Sequence, residues 1–175
     1  MGKVIDSAIT HHVRGAMNMT DYSFRDGMAA LASGVSVLTT SGVAGHYGIT
    51  VTSLTSVTDT PPTVLVCVNR NGIANQIFKS NRKICINILS AEQTDIGKQY
   101  ASGHDNQKTF DENQWIMDKE SVPPALKNAA ATLQGVIAST IEYGTHSVFF
   151  VKVDEVTCAD TKSGLVYFNR NFMPV

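Results

Sequence analysis

Long apolar runs and excess charge are both missing from this sequence of 175 residues. Nowhere do about 18 apolar residues follow one another, as a membrane-spanning helix requires, and the first residues contain no apolar stretch of signal-peptide length. The 14 Lys and Arg residues are balanced by 15 Asp and Glu residues, which gives a formal net charge of −1. This balance excludes the basic surface typical of proteins that bind nucleic acids or anionic membranes. We therefore expect a soluble cytoplasmic protein that recognises its partners by shape and specific contacts.

Cysteine is scarce, because the sequence contains only Cys67, Cys85 and Cys158. An odd number of widely separated cysteines without a C-x-x-C pair excludes a disulfide framework and the usual zinc spacings. We predict that these cysteines are buried free thiols.

The glycine-rich nucleotide motifs are absent as well. The sequence has no G-x-G-x-x-G between a strand and a helix and no G-x-x-x-x-G-K-[ST], which excludes a Rossmann site and a P-loop. Any nucleotide would therefore have to bind to a β scaffold.

The length and the hydrophobic content of 43% indicate one well-cored domain, which we place at residues 21–175. Residues 1–20 lack periodicity and are predicted to form a flexible arm. In that arm, the adjacent His11 and His12 fit a solvated tail better than a metal site.

Most of the chain is predicted to form β structure. Strands are predicted at 35–40, 63–68, 83–89, 132–141, 147–156 and 165–168, with the strand at 63–68 buried on both faces. A helix is predicted to begin at Asp21 or Ser23, to carry Phe24, Met28 and Leu31 on one face, and to end near Ser33 and Gly34. Further short helices are expected at 73–79 and 91–100. Six or seven strands with short helices predict an antiparallel barrel or sandwich, and we favour a barrel.

Residues 48–62 (GITVTSLTSVTDTPP) are the most informative segment, because they crowd hydroxyl side chains between a glycine and a pair of prolines. Alternation along a strand would place Thr50 and Thr52 on one surface and Ile49 and Val51 in the core. Hydroxyls and exposed backbone N–H groups can bind phosphate or carbonyl oxygens, and Gly48 allows a close backbone approach. The segment fits a ligand site and a threonine-rich surface strand equally well. For Trp115, the sequence fits a core anchor and a cover over a ligand equally well.

Several blocks, in order along the chain, resemble the flavin reductase family of two-component monooxygenases. They are 24–40 (FRDGMAALASGVSVLTT), 48–53 (GITVTS), 56–62 (SVTDTPP), 66–70 (VCVNR), 85–89 (CINIL), 144–146 (GTH) and 164–175 (GLVYFNRNFMPV). The resemblance covers nearly all of the chain after residue 20. It implies a mostly β split barrel of the Greek-key, FMN-binding type, with a few short flanking helices.

The resemblance also implies a function. A homodimer would bind FMN or FAD, reduce it with NADH or NADPH, and release the reduced flavin to a separate oxygenase that hydroxylates an aromatic compound. Two other readings stay open: a flavin carrier without activity, and a flavoprotein that retains its flavin and reduces another acceptor.

The site residues follow from the same resemblance. His146 is the catalytic candidate, near the nicotinamide, and no metal ligand is implied. The implied cofactor-binding residues lie at the flavin ring and ribityl chain, at the flavin phosphate, at the far wall of the flavin site and at the pyridine nucleotide. In chain order they are His46, Tyr47, Gly48, Ile49, Thr50, Thr52, Ser53, Cys67, Val68, Asn69, Ala74, Gln99, Tyr100, Tyr167, Phe168, Asn169 and Arg170. Arg170 is the candidate for a diphosphate or ribose contact.

The chain departs from the family pattern at two of these places. Thr145 stands where relatives often have Asp before the histidine, and Ala74 stands where they often have Ser or Thr. An alanine side chain cannot bind phosphate, so Asn71 or Asn75 would have to substitute. Direct hydride transfer between two cofactors needs ring positioning more than strong acids or bases, so few catalytic residues are expected.

Overall fold

The computed structural model describes residues 22–101, 110–117, 122–160 and 163–175. The predicted flexible arm at 1–20 and the alternative helix cap Asp21 lie outside these ranges. In the described ranges, no helix is both long and apolar enough to span a bilayer.

A seven-stranded antiparallel sheet is the main element of the fold. Its strands, in spatial order, are β3 (Tyr47–Val51), β2 (Ser36–Thr40), β6 (Lys83–Ile88), β9 (Ala131–Tyr143), β10 (His146–Cys158), β5 (Pro62–Asn69) and β4 (Thr55–Asp59). Strands β3 and β4 therefore lie at the two edges. The predicted antiparallel β architecture is confirmed.

Smaller elements flank the sheet. A three-stranded sheet joins β1 (Ser33–Gly34), β11 (Leu165–Phe168) and β12 (Asn171–Pro174), and a short pair joins β7 (Trp115–Ile116) to β8 (Ala125–Leu126). The helices are α1 (Phe24–Ala29), α2 (Ile73–Asn81) and α3 (Thr94–Ala101), the last preceded by a 3-10 turn at Ala91–Gln93.

Two apolar clusters form the core. One joins side chains of the large sheet to α2, and it includes Leu38, Val66, Phe78, Ile86 and Phe149, all fully buried. The other packs β2 and α3 against the flanking strands, through Val35, Val37, Leu89, Ile96, Tyr100, Phe110, Trp115, Leu126, Ala129 and Leu165. Trp115 is 2% exposed in this second cluster, so it is a core anchor.

Helix α1 is shorter than predicted. Ser23 caps it by a reciprocal capping box with Asp26, as the sequence indicated, but the helix ends at Ala29 and Leu31 lies beyond it. The predicted end near Ser33 and Gly34 is wrong, because those residues pair with β11. The predicted apolar face does not enter the core either, since Phe24 is 83% exposed.

Two burial predictions are also corrected. Strand β5 is not buried on both faces: Val66 and Val68 are buried, whereas Leu65 and Cys67 are half-buried. All three cysteines are free, as predicted, but only Cys85 is buried and Cys158 is exposed. Burial raises the pKa of the Cys85 thiol to about 12.

The long β9–β10 hairpin contains a close backbone approach at Gly135. A Cβ at this position would lie 2.1 Å from the carbonyl oxygen of Lys152. The approach is next to a register shift between Val153 and Glu155, so glycine is needed where the two strands change register.

Asn87 joins the outer strands to the large sheet. Its fully buried side chain donates from Nδ2 to the carbonyl of Val37 at 3.0 Å and accepts at Oδ1 from the backbone N–H of Leu126 at 2.7 Å. Leu126 pairs with Trp115 in the β7–β8 ladder. One amide side chain therefore fixes the segment that covers the second core cluster.

The replacement Asn87→Ala should lower the free energy of unfolding by roughly 1–3 kcal/mol, because it leaves the buried N–H of Leu126 without its acceptor. Urea unfolding followed by tryptophan fluorescence measures this change. Asn113→Ala is the matched control, since the Asn113 side chain donates to the exposed side chain of Asp111. Equal stability of the two variants would contradict the role given to Asn87.

Candidate ligand-binding site

A cavity of about 550 Å³ opens where β3, β5 and β10 come together with the helices. It is lined by Tyr47, Ile49, Thr50, Val51, Thr52, Ser53, Cys67, Val68, Asn69, Gly72, Ile73, Ala74, Tyr100, Ala101, His146, Tyr167 and Phe172. The volume is that of a small-molecule or cofactor site, for which roughly 300–1,000 Å³ is usual. Most of the predicted site residues meet in this one cavity.

Strand register brings distant parts of the sequence to the cavity. In the β5–β10 ladder, His146 lies directly opposite Asn69, and Ser147 lies opposite Val68. Cys67 to Asn69 end β5 at the cavity, and the next residues turn into α2. The candidate histidine and the strand end predicted to contact flavin are therefore neighbours.

The hydroxyls of the Thr- and Ser-rich segment have different roles. Thr50 Oγ1 donates to the Gly97 carbonyl at 2.7 Å, which ties β3 to α3. Ser53 Oγ accepts from the Cys67 N–H at 3.0 Å and donates to the Cys67 carbonyl at 3.2 Å. Thr52 is exposed and its hydroxyl has no partner in the described ranges. Of these three lining residues, Thr52 has the hydroxyl that is free to bind a ligand.

The predicted alternation of the segment is only partly observed. Val51 is buried, but Ile49 and Thr50 are both half-buried and both line the cavity, which wraps around the end of β3. Gly48 does allow a close approach, but the group that approaches it is the Tyr100 ring: an added Cβ would lie 2.8 Å from that ring. Gly48 thus makes room for Tyr100 and does not line the cavity.

Tyr100 lines the cavity, and its hydroxyl is buried inside the protein. The residue is 1% exposed, and its ring stacks on Phe110 with centroids 5.8 Å apart. Burial raises the pKa of Tyr100 to about 12, and the Trp115 indole opposes this only in part. Among the described residues, the Tyr100 hydroxyl has no hydrogen-bond partner of regular geometry.

The amino-terminal end of α2 faces the cavity through Gly72, Ile73 and Ala74. Gly72 is the N-cap and gives no side-chain hydrogen bond to the helix, so the first N–H groups are available to an anion. The Asn75 side chain is instead bonded inside the protein, to the Val68 carbonyl at 3.0 Å and to Ser147 Oγ at 2.9 Å. The suggestion that Asn75 substitutes for a missing phosphate ligand is therefore wrong.

His146 begins β10 and lines the cavity. Its Nδ1 lies 2.9 Å from Thr145 Oγ1, so a threonine hydroxyl contacts the imidazole where relatives often have an acidic residue. This contact leaves Nε2 as the ring nitrogen available to a ligand.

Six predicted residues lie outside the lining of this cavity: His46, Gly48, Gln99, Phe168, Asn169 and Arg170. Asn169 and Arg170 form the β11–β12 turn with positive φ angles of 47° and 62°. Arg170 pairs with Asp26 of α1. Hydrogen bonds from Ser23 and then from Arg170 lower the pKa of Asp26 to about 2.

Arg170 instead lines a second cavity of about 620 Å³, which shares Thr52, Ser53 and Tyr167 with the first. The two cavities therefore adjoin, and the predicted diphosphate contact of Arg170 belongs to the neighbouring space.

Sequence reasoning missed five lining residues: Val51, Gly72, Ile73, Ala101 and Phe172. Four are apolar or small and carry no chemical signal. Gly72 did carry a signal in the sequence. It lies between a strand and the helix that follows, where a glycine often marks an anion-binding helix start.

The cavity can bind and orient a planar ligand, and little in it suggests acid–base catalysis. Its walls combine apolar side chains with a free threonine hydroxyl, the His146 imidazole and the amino terminus of α2. In the described ranges, no group of three or more His, Cys, Asp or Glu residues could hold a metal ion.

Comparison with known proteins identifies the family. Residues 28–175 match the family model described as the flavin reductase like domain. The 4-hydroxyphenylacetate 3-monooxygenase reductase component of Pseudomonas aeruginosa is 40% identical over 152 residues, covering 86% of this chain and 89% of that protein. FMN reductase (NADH) RutF of Acinetobacter baylyi is 34% identical over 161 residues, covering 92% of this chain and 85% of that protein.

A solved structure agrees with these relatives. The NADH:FAD oxidoreductase SgcE6 of Streptomyces globisporus, in complex with NAD and FAD fragments, superposes with a TM-score of 0.77 at 28% identity, covering 85% of this chain and 88% of that one. The predicted split-barrel fold is confirmed by such neighbours. The chain therefore belongs to the flavin reductase family.

Proposed function

We propose that this protein reduces FMN or FAD with a nicotinamide nucleotide and supplies the reduced flavin to a separate monooxygenase. The observation that carries the proposal is the cavity at the ends of β3, β5 and β10, in a chain of the flavin reductase family. Two relatives are named for NADH, one as an FMN reductase and one as an oxidoreductase of FAD. We therefore propose NADH as the electron donor, with either flavin as the acceptor.

The cavity residues fit a flavin. A bound flavin supplies two-electron acceptor chemistry that no side chain of the protein has. Backbone groups and the free hydroxyl at Thr52 would hold the polar rim of the ring. The first N–H groups of α2, at Gly72 to Ala74, would hold the phosphate without a side-chain ligand. The alanine at position 74 is thus compatible with phosphate binding.

His146 acts on the nicotinamide side of the cavity in this proposal. It stands opposite Asn69 in the strand register, and Thr145 holds its Nδ1 at 2.9 Å. The available Nε2 can bond with the carboxamide of the nicotinamide, which orients the ring. Direct hydride transfer needs this orientation, and effective molarity supplies much of the rate.

The partner proposed for the reduced flavin is an oxygenase that acts on an aromatic compound. The relative from P. aeruginosa is named as the reductase component of a 4-hydroxyphenylacetate 3-monooxygenase. We also propose a cytoplasmic location, which the three free cysteines support, because unpaired thiols are usual in reducing compartments.

We further propose that the protein is a homodimer. Apolar side chains on and beside α1 are exposed, with Tyr22 at 79%, Phe24 at 83% and Leu31 at 55%. Contiguous exposed apolar side chains are typical of protein interfaces, and a second copy of the chain would cover them.

Oxidation of NADH by the purified protein, followed in the nicotinamide absorption band, tests the activity. We expect oxidation only after FMN or FAD is added, with a rate that rises hyperbolically with flavin, because the flavin is a released substrate. A yellow protein indifferent to added flavin would favour retained flavin. No oxidation with either flavin and either nicotinamide would overturn the proposal.

Thr52→Val should raise the KM for flavin about fivefold, since one lost hydrogen bond costs about 1 kcal/mol. Valine is similar to threonine in size and in β propensity, so the free energy of unfolding should not change. Thr157→Val is the control, because Thr157 lies near the other end of β10 from His146. Unchanged flavin kinetics in a folded Thr52→Val variant would remove Thr52 from the site.

The double replacement of Phe24 and Leu31 by Glu should convert the dimer to a monomer, because it places charges in the proposed interface. Light scattering coupled to size-exclusion chromatography measures the mass. Val43→Glu is the control, since Val43 is also apolar and is 93% exposed. A monomeric wild-type protein, or a double variant that remains dimeric, would refute this interface.

A further inference from the structure

Glu142 receives hydrogen bonds from side chains of three segments, each of which also contributes residues to the cavity lining. It lies near the end of β9, and its carboxylate accepts from Arg70 Nε at 2.8 Å, from Ser147 Oγ at 2.9 Å and from Lys79 Nζ. Arg70 follows β5, Lys79 belongs to α2, and Ser147 follows His146 in β10. These bonds, with that from Lys79 the largest contribution, lower the pKa of Glu142, so the carboxylate is ionised at neutral pH.

Arg70 extends this network to the turn that precedes the candidate histidine. Its backbone N–H donates to the Thr145 carbonyl at 2.8 Å, and its Nη1 donates to the Gly144 carbonyl at 3.3 Å. The guanidinium is therefore held by Glu142 at one nitrogen and holds the turn with another. A planar fork is suited to such a double contact.

Ser147 extends the network into the protein interior. Ser147 is fully buried, and its Oγ accepts from Asn75 Nδ2 at 2.9 Å. Asn75 belongs to the first turn of α2 and follows Ala74, which lines the cavity. The carboxylate of Glu142 is thus linked through Arg70 to the turn before His146 and through Ser147 to the first turn of α2.

His146 lies between the two anchored residues Thr145 and Ser147 and beside Asn69 in the strand register, and the start of α2 lines the same cavity. We propose that Glu142 is a positioning residue, which fixes the distance between His146 and the amino-terminal end of α2 through Arg70 and Ser147. The inference rests on the proposed function, since it assigns Glu142 the task of aligning the nicotinamide side with the flavin side. Glu142 does not line the cavity, so it acts through other residues.

A positioning role differs from a general contribution to stability. The side chains of Arg70 and Glu142 are 46% and 39% exposed, and exposed ion pairs change global stability little. The proposal therefore expects a loss of alignment without a comparable loss of folding. Small displacements of reacting groups reduce rates strongly.

The test compares Glu142→Ala and Glu142→Gln with the wild type. In stopped flow at saturating NADH, Glu142→Ala should reduce flavin about tenfold to a hundredfold more slowly, whereas the flavin dissociation constant should change less than twofold. Glu142→Gln keeps an acceptor for Ser147 and should lie between the two. Asp154→Ala is the control, because Asp154 forms a similarly exposed pair with Lys152 at 3.6 Å on the same hairpin, and it should behave as the wild type.

Two further measurements distinguish a positioning role of Glu142 from a purely structural role and from a direct role in the reaction. Hydrogen exchange should become faster at residues 69–74 and 143–147 together in Glu142→Ala, and at neither segment in Asp154→Ala. In a His146→Ala background, adding Glu142→Ala should have almost no further effect on the reduction rate, because the residue through which Glu142 acts is gone.

The outcomes are distinct. A wild-type protein that does not reduce flavin refutes the proposed function, whereas the exchange experiment still reports on the linkage between the two segments. Unchanged exchange, a reduction rate equal to that of Asp154→Ala, or fully additive effects with His146→Ala would each overturn the positioning role of Glu142.

Discussion

The pairing of β5 with β10 is the constraint on which the rest of the site depends. Its register places His146 opposite Asn69 and Ser147 opposite Val68, so two segments almost 80 positions apart in the chain form one wall of the cavity. A shift by one residue would turn every side chain to the other face, and the histidine would leave the site. The bonds of Asn75 to Val68 and Ser147 reinforce this register from α2.

The cavity also shows that polar residues at a binding site are not all ligands. The hydroxyls of Thr50 and Ser53 are bonded to Gly97 and Cys67, so they hold β3 and the residues that follow it against α3 and β5. Thr52 stays free for a ligand, and the uncapped start of α2 offers N–H groups without any polar side chain. The cavity therefore offers few free polar side chains to a ligand, which suits a reaction whose chemistry is carried by the bound cofactors.

Much of this arrangement was predictable from the sequence, and the remainder was not for physical reasons. Alternating β-type segments predicted the strands at 35–40, 83–89 and 147–156 to within two residues at each end, because local periodicity determines them. Periodicity could not show that α1 stops at Ala29, since pairing of Ser33 and Gly34 with β11 overrides helix propensity. Neither could it place Phe172, which has no chemical signal, or Arg170, whose partner Asp26 lies 144 positions away. The family resemblance supplied most of the lining residues that composition alone left undecided.

The central claim is that the cavity at the ends of β3, β5 and β10 is the flavin site, and a crystal structure with bound FMN tests it most directly. We expect the ring system between Thr52 and His146, with the phosphate at the N–H groups of Gly72 to Ala74. FMN bound instead in the adjoining cavity beside Arg170, or anywhere away from the start of α2, would contradict the account.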